Sequence, residues 1–353
     1  MPTPPLADLP TPRGGTGRWP WAAETTPASG GDPAAWPRIT VVTPSFNQGA
    51  FIEETIRSVL LQGYPNLEFI VADGGSQDST VEILRRYDPW LAHWVSEPDR
   101  GQTHAINKGL ARATGNIFTY LNSDDLLAPG ALVEVAGAFR DHPEADVVYG
   151  ACVYTDEEGN DLFVRRGRVS GFVDYLRIWE GFRRGEYLTQ PEVFCRTRAL
   201  VDAGGFREEL HSVMDFDMWL RLLAAGATFH RVEAVLARFR TLEGQKSAVD
   251  PGDELYQLIR GYLEDPASPV PAADRPKVAA ELQVARAEWL LRASLAAAYA
   301  RKWPRWARYC ARAVRISPRV VSTYHFWSIL AEPGKALLPL AIRRRVGQGL
   351  RGA

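Results

Sequence analysis

The stretch Asn122–Asp125 (Asn-Ser-Asp-Asp) follows the apolar run Ile117–Leu121 and stands just before Pro129-Gly130. An apolar, aromatic-rich run of this length predicts a buried strand, and the polar residues after it predict the loop where that strand ends. Two adjacent carboxylates repel each other, so keeping both ionised requires a cation or a set of hydrogen-bond donors. A magnesium or manganese ion holding a diphosphate would meet that need, because both take oxygen ligands. An Asx-type turn capping a helix near Pro129 is the alternative.

The runs upstream of this stretch predict strands that alternate with amphipathic helices. The predicted strands are 39–42, 67–72, 93–95 and 117–121. This alternation is typical of βαβ units, which form a mostly parallel sheet with right-handed crossovers. Ligands bind outside the carboxyl ends of the strands in such sheets. We therefore expect three polar segments to converge on one edge of the sheet: Thr43-Pro44, Asp73–Gly75 and Asp124-Asp125.

Composition places the chain among ordinary globular proteins. The 353 residues are 46% hydrophobic and 24% charged, with a formal net charge of −1, which gives no indication of nucleic-acid binding. The cysteines are three in number and far apart, which favours a reducing compartment and excludes a metal-ligand spacing. Residues 1–20 lack the apolar core of a signal peptide, and no window is apolar enough to span a membrane. We expect a cytoplasmic protein.

The composition changes twice along the chain. Residues 1–37 hold nine prolines and two Gly-Gly pairs, which predict a disordered arm, with docking of its tryptophans as the alternative. An α/β domain is predicted over 38–250. Residues 251–353 predict a helical extension, and within it 301–353 carry twelve Lys or Arg residues, interleaved with aromatic ones, against the single acid Glu332. This pattern favours an anionic membrane surface over nucleic acid as partner, with a helical cap or a self-association surface as alternatives.

Two further acidic positions are candidates for chemistry. Asp73, before Gly74-Gly75, forms a turn by default, but its carboxylate could also accept a hydrogen bond from a uracil or thymine ring beside the flat glycine backbone. Asp215 and Asp217 stand at a predicted helix start, where aspartate commonly caps the helix and complements its dipole. The functional alternative is that one of them is a general base within reach of an acceptor hydroxyl.

Taken together and in register, seven motifs resemble those of the family 2 glycosyltransferases, a large inverting family that uses nucleotide-sugars. The motifs are Val42–Asn47, Asp73–Thr80, Ser96–Gln102, Ala105–Gly109, Ala113–Gly115, Leu121–Asp125 and Asp215–Arg221. They cover roughly residues 38–245. The resemblance implies a GT-A fold, which is a Rossmann-like αβα sandwich with a mostly parallel central sheet joined to an acceptor-binding half. It thereby makes 38–250 the catalytic domain.

The resemblance also implies roles for individual residues. Asp215 is the expected catalytic base, and Asp125 the expected ligand of a divalent manganese or magnesium ion. The expected nucleotide-binding residues are Pro44, Phe46, Asn47, Asp73, Asp99 and Asp124, with Asp73 on the pyrimidine base and Asp124 on the ribose side. The expected acceptor contacts are Trp179, Gln190 and Asp217. Asn122 stands where the family usually has the first aspartate of Asp-x-Asp, and Met214 where a glutamate usually precedes the base.

The implied activity is transfer of a sugar from a UDP- or dTDP-linked donor to a saccharide, lipid-linked or other hydroxyl acceptor, by metal-assisted single displacement. The expected setting is the assembly of cell-surface polysaccharide or glycolipid at the inner face of the membrane, with homo-oligomerisation as a further expectation. A nucleotidyltransferase is one alternative, although residues 43–47 lack the glycines and lysine of a triphosphate loop. A non-catalytic nucleotide-sugar binding module is the other.

Overall fold

The computed structural model describes residues 4–12, 17–26, 35–242 and 252–318. The chain divides into two units, Met1–Gln245 and Lys246–Ala353, beside the boundary predicted at residue 250. The first unit contains a nine-stranded sheet with helices packed on it, and the second is helical.

The first half of the sheet is parallel, as the alternation of strands and helices predicts. Its strands are β1 (Ile39–Ser45), β2 (Leu67–Asp73), β3 (His93–Ser96) and β4 (Ile117–Tyr120), in the order β3-β2-β1-β4. The connecting helices are α1 (Ile52–Leu60), α2 (Thr80–Tyr87) and α3 (Gln102–Arg112). The central strands are buried along their whole length because helices cover both faces of a parallel sheet.

The second half of the sheet is mixed. Its strands are β5 (Leu126–Leu127), β6 (Val147–Thr155), β7 (Asp161–Arg166), β8 (Val193–Arg196) and β9 (Phe229–Arg240). Its helices are α4 (Ala131–Asp141), α5 (Phe172–Leu176), α6 (Ile178–Arg184), α7 (Thr197–Asp202) and α8 (Met214–Ala224). Strand β8 joins the halves by pairing antiparallel with both β4 and β6, and β9 runs parallel to β6. The predicted α/β fold class is confirmed.

The register of the parallel strands brings the predicted site residues to one edge. Ser45, Asp73 and Ser96 are the last residues of β1, β2 and β3, and they stand side by side across the sheet. Strand β4 ends lower, since Tyr120 is level with Val42. The loop that follows β4 therefore begins below the ends of its neighbours, which leaves room at this edge for a ligand.

The N-terminal arm differs from the expected disorder of residues 1–37. Arg57 of α1, only 2% exposed, donates to the carbonyl oxygens of Pro10 at 3.2 Å and Pro20 at 3.3 Å. The indole nitrogen of Trp19 donates to the carbonyl of Leu127 at 3.0 Å. In the described residues 4–12 and 17–26, arm carbonyls thus supply the hydrogen bonds that a buried guanidinium requires.

The second unit contains α9 (Gly252–Glu264), α10 (Arg275–Tyr299) and α11 (Trp303–Ile316), close to the predicted helices. A small core joins α10 and α11 through Leu290, Leu291 and Cys310. Of the predicted basic segment 301–353, residues 319–353 lie outside the described residues. No helix within the described ranges combines the length and apolar character that a membrane span requires.

Replacing Arg57 with alanine should destabilise the first unit. The carbonyls of Pro10 and Pro20 and the Tyr87 hydroxyl would lose a donor, and each buried group left unsatisfied costs about 1–3 kcal/mol. We expect a lower urea midpoint and faster trypsin cleavage at the exposed Arg18 of the arm. Arg85→Ala, at an exposed position of α2, is the matched control. Equal stability of the two variants would contradict the anchoring role of Arg57.

Candidate active site

The loop after β4 turns its two carboxylates to different environments. Asp125 is fully buried: its Oδ1 accepts from the backbone N–H of Arg240 at 3.0 Å, and its Oδ2 from the Asn122 side chain at 3.1 Å. Burial and the adjacent Asp124 carboxylate raise the pKa of Asp125 well above its ordinary value. Asp124 retains partial exposure. Each oxygen of the Asp125 carboxylate thus accepts one hydrogen bond from the protein, and its expected role as a metal ligand stays a prediction.

Arg240, at the end of β9, holds this loop in place. Its Nε donates to the carbonyl of Asp124 at 3.1 Å and its Nη1 to the carbonyl of Glu157 at 3.0 Å. Its Nη2 pairs with Glu54 of α1. Thr55, the next residue of α1, donates from its hydroxyl to the carbonyl of Asp125 at 2.9 Å. The acidic loop is thus fixed from β9 on one side and α1 on the other.

Asn122 connects the loop to α3. Its side-chain oxygen accepts from Gln102 at 2.6 Å, while its amide nitrogen donates to Asp125. An aspartate at position 122 would bring a second carboxylate to hydrogen-bonding distance of the buried one, and like charges there would repel. This contact gives a physical reason for the departure of Asn122 from the Asp-x-Asp pattern.

The carboxylate of Asp73, at the end of β2, accepts hydrogen bonds from nearby residues of the protein. It is fully buried and accepts from the N–H groups of Gly75 at 3.1 Å and Ser76 at 2.8 Å, and from the Ser96 hydroxyl at 2.6 Å. The Ser76 hydroxyl donates to its other oxygen at 2.5 Å. Four protein donors thus surround the Asp73 carboxylate, and its expected contact with a pyrimidine base stays a prediction.

Asp99 presents the exposed carboxylate beside that turn. Its Oδ1 accepts from the N–H of Gly101 at 2.7 Å, and its side chain stays partly exposed. Its Oδ2 lies over Gly74, where an added Cβ atom would stand only 2.9 Å away. A side chain at position 74 would therefore displace the Asp99 carboxylate from this place.

The end of β1 contributes an aromatic surface. Phe46 is 60% exposed, which is unusual for a large apolar side chain, whereas Pro44 is buried in β1 opposite Ala72. Asn47 has a φ of 53°, in the left-handed region that asparagine tolerates better than most residues. Its N–H donates to the Ser76 hydroxyl at 2.7 Å, and its side-chain oxygen accepts from Gln77 at 2.9 Å. Asn47 therefore fastens the β1 loop to the β2 loop.

Asp215 lies in the first turn of α8. It is partly exposed, and its Oδ1 accepts from the N–H of Phe216 at 2.8 Å. Burial raises the pKa of Tyr120, the last residue of β4, and the negative charges of Asp215 and Asp125 raise it further. Burial and then Asp215 act in the same direction on the pKa of Tyr175. The charges of Asp215 and Asp125 thus both act on Tyr120, the residue from which the acidic loop leaves β4.

All three expected acceptor contacts are buried. Asp217 is fully buried and forms ion pairs with Arg221 at 2.7 Å and Arg207 at 3.1 Å, and Trp179 is 2% exposed. The assignments of Asp217 and Trp179 to the acceptor stay predictions. Gln190 is 8% exposed, and its Nε2 donates to the carbonyl of Tyr120 at 2.6 Å. Its Oε1 has no hydrogen-bond partner within the described residues.

Three residues that hold the loop carry no signal in the sequence, namely Arg240, Glu54 and Thr55. Arg240 stands in a basic strand and Glu54 and Thr55 in an amphipathic helix, where charged and polar residues ordinarily face solvent. Gln102 is the last residue of the motif Ser96–Gln102, in which it has no predicted role. Their partners are distant in sequence, so no local pattern could have identified them.

The donor set at this edge suits a shared cation rather than a closed metal cage. In the part of the chain that the structure describes, no group of three or more His, Cys, Asp or Glu side chains could hold a metal ion. Asp124 is the partly exposed carboxylate of the acidic loop. Magnesium-type cations are commonly bound by one or two carboxylates together with substrate phosphates and water. The residues present therefore fit a divalent ion that is shared with a diphosphate.

Comparison with known proteins agrees with this architecture. TarS from S. aureus, in a fragment solved with UDP-GlcNAc, has a TM-score of 0.56 at 20% identity, over 84% of this chain and 88% of that one. The mannosyltransferase PcManGT from Pyrobaculum calidifontis, in complex with GDP-Man and Mn²⁺, has a TM-score of 0.54 at 24% identity, over 89% of each chain. These likenesses confirm the GT-A fold.

Sequence relatives extend over the same region. An uncharacterized glycosyltransferase of Rickettsia conorii is 25% identical over 237 residues, which are 64% of this chain but only 38% of the relative. An uncharacterized protein of Mycobacterium tuberculosis is 28% identical over 261 residues, covering 67% of this chain and 78% of the relative. The chain thus spans well under half the length of the rickettsial relative. Residues 40–207 match the model of glycosyl transferase family 2. The resemblance of the motifs to this family is therefore confirmed, over a segment that is a little under half of the chain.

Proposed function

We propose that the protein is an inverting glycosyltransferase that moves a sugar from a nucleoside-diphosphate sugar to an acceptor hydroxyl. The observation that carries this proposal is that the Asn122–Asp125 loop directly follows Tyr120 at the end of β4, and that the charge of Asp215 at the start of α8 also reaches Tyr120. A base and a diphosphate-binding carboxylate must lie on opposite sides of one reacting carbon, and this edge of the sheet offers both.

The nucleotide of the donor occupies the ends of β1 and β2. Phe46 offers an exposed ring on which a base can stack, and Asp99 offers a carboxylate that can accept from a base N–H. Pro44, Asn47 and Asp73 act indirectly by shaping the two loops. UDP- or dTDP-linked donors are favoured, because the pyrimidine ring presents an N–H to such a carboxylate. The complex of TarS with UDP-GlcNAc supports this assignment.

The diphosphate and a divalent ion lie at Asp124. This moves the ion contact from Asp125, whose oxygens are held by Arg240 and Asn122, to its partly exposed neighbour. Manganese or magnesium bound there would neutralise charge on the departing nucleoside diphosphate. The manganese in the PcManGT complex supports a cation in this role. Arg240 keeps the loop rigid, so that the carboxylate is positioned before the donor arrives.

Asp215 accepts the proton of the acceptor hydroxyl as that oxygen attacks the anomeric carbon. Attack from the face opposite the departing diphosphate gives a single displacement and inverts the anomeric centre. The N-terminal end of α8 stabilises the negative charge of Asp215 until the proton arrives. Gln190 offers its unpartnered Oε1 to an acceptor hydroxyl beside Tyr120. The acceptor is a saccharide or a lipid-linked hydroxyl of cell-surface polysaccharide or glycolipid assembly.

A screen of nucleotide-sugars with manganese separates this proposal from a nucleotidyltransferase and from a binding module. UDP-, dTDP- and GDP-sugars are added to the whole protein, and the melting temperature and nucleoside-diphosphate release are measured. A nucleotide-sugar that binds the folded chain and not the unfolded chain raises the melting temperature by mass action. Release of nucleoside diphosphate supports transfer to water or acceptor. Pyrophosphate-dependent formation of a triphosphate, or binding without any turnover, would contradict the proposal.

Asp215→Asn should retain donor binding and lose turnover. The amide cannot accept the hydroxyl proton, and general-base assistance contributes about 10²–10⁴-fold to the rate. Donor binding is followed by thermal shift and turnover by nucleoside-diphosphate release. Asp202→Asn, at an exposed position of α7, is the control and should be unchanged. Normal turnover of Asp215→Asn would move the base elsewhere.

Asp124→Asn and Asp125→Asn should separate ion binding from loop structure. Asp124→Asn should remove the manganese dependence of nucleoside-diphosphate affinity and leave the melting temperature of the free protein unchanged. Asp125→Asn should lower that melting temperature, because an amide group would face donors from Asn122 and Arg240. Calorimetry with manganese or with EDTA measures the first effect. If manganese dependence followed Asp125 and not Asp124, the reassignment of the ion would be wrong.

The helical unit attaches the enzyme to the anionic inner face of the cell membrane. In this extension, the described helix α11 carries only basic residues among its charged side chains, and most are exposed: Arg305, Arg308, Arg312 and Arg315. Arrays of this kind bind anionic lipid headgroups, and each cation contributes on the order of 1 kcal/mol.

Reversing three of these charges tests the attachment. The triple variant Arg305→Glu, Arg308→Glu and Arg315→Glu should bind phosphatidylglycerol vesicles at least about tenfold more weakly than the wild-type chain. A triple variant at exposed arginines of the first unit, Arg85→Glu, Arg140→Glu and Arg198→Glu, is the matched control. Equal sedimentation of both variants with the vesicles would contradict the membrane attachment. The helical unit would then be a cap on the catalytic domain or a self-association surface.

A further inference from the structure

Strand β7 is an exposed edge with an apolar surface. It pairs with β6 along one side, from Ala151 opposite Arg166 to Thr155 opposite Asp161, and no other strand of the described ranges pairs with it. Three consecutive apolar side chains of β7 are exposed, Leu162 at 54%, Phe163 at 47% and Val164 at 43%. An edge strand of this kind is a template for pairing with another strand, because its outer N–H and C=O groups have no strand partner.

Exposed apolar side chains lie on both faces of the β6–β7 hairpin. Successive side chains of a strand point to opposite faces, so Leu162 and Val164 share one face and Phe163 lies on the other. Phe163 stacks on Tyr154 of β6 with ring centroids 4.6 Å apart, which covers only part of its ring. Soluble proteins usually protect an edge strand with charges in its middle. Here the charges are confined to its two ends.

The end charges make β7 complementary to itself. Asp161 is the first residue of the strand and Arg166 the last, and both are exposed. If a second copy paired antiparallel about a two-fold axis between Phe163 and Val164, Asp161 would stand opposite the partner's Arg166 at both ends. A parallel pairing in register would instead place like charges beside each other, which is destabilising.

We propose that β7 is a self-association edge, through which two copies of this chain pair their sheets antiparallel. The occupant is a second copy because the strand matches its own reversed charge pattern, and a two-fold axis uses one surface twice. The pairing would cover Leu162, Phe163 and Val164 of both copies and satisfy the outer backbone groups of β7. This inference goes beyond the proposed activity and does not depend on it.

Dimerisation would also brace the segment beside Gln190. Arg165 of β7 lies over the ring of Tyr187, with its guanidinium carbon 4.1 Å from the ring centroid. Tyr154 of β6 is hydrogen-bonded to Thr189 at 3.3 Å. The hairpin therefore contacts the segment that leads into Gln190, and fixing its outer edge restricts the motion of that segment.

A charge-swap experiment on the whole chain tests the proposal by sedimentation velocity. The wild type should dimerise, and Asp161→Arg and Arg166→Asp should each raise the dissociation constant about tenfold or more, because like charges then meet at both ends. An equimolar mixture of the two single variants should restore the dimer as a heterodimer, since each arginine again meets an aspartate. The double variant should likewise restore the homodimer. Melting temperatures verify folding, because Asp161 also pairs with Arg238 within the chain.

Phe163→Glu provides a second, independent variant that should abolish the dimer. Val201→Glu, at a 57% exposed position of α7, is the matched control and should dimerise as the wild type does. A wild type that stays monomeric at high micromolar concentration would overturn the proposal. So would a dimer that survives Phe163→Glu, or a mixture of the single variants that fails to associate.

Discussion

The site depends on one buried carboxylate and the groups that hold it. Asp125 cannot be solvated where it lies, so its burial is tolerated only with hydrogen bonds from Asn122 and from the backbone of Arg240. Those donors come from the loop itself and from the far end of the sheet. The side chain of Arg240 also donates to the carbonyl of Asp124. The position of the partly exposed Asp124 carboxylate therefore follows from that of the buried Asp125 carboxylate.

This constraint spreads through neighbouring elements. Glu54 and Thr55 connect the clamp to α1, and α1 in turn carries Arg57, whose guanidinium is completed by carbonyls of the N-terminal arm. Helix α3 reaches the same loop through Gln102 and Asn122. A segment that is rich in proline and distant in sequence from the acidic loop is therefore linked to it through a single helix. Rigid support of this kind keeps a catalytic carboxylate in place without a bound ligand.

Sequence patterns predicted the fold well, but not the contacts within the candidate site. The alternation of apolar runs and amphipathic helices predicted the parallel pairing of β1 to β4, and the motif series indicated the family whose model residues 40–207 match. Asp73, Asp125 and Asp217 are each predicted to face a ligand. In the structure each also accepts hydrogen bonds or ion pairs from the protein. The sequence alone does not distinguish an aspartate that binds a ligand from one that accepts hydrogen bonds from the protein.

The sequence by itself determined which residues meet at the carboxyl edge of the sheet, because strand periodicity and right-handed crossovers leave few alternatives. Only the tertiary structure decided which carboxylates are exposed, since that depends on donors contributed by residues more than a hundred positions away, such as Arg240 for Asp125. Asn122 illustrates both levels. Its identity is visible in the sequence as a departure from Asp-x-Asp, but the reason for it, a buried carboxylate 3.1 Å from its amide, exists only in the folded chain.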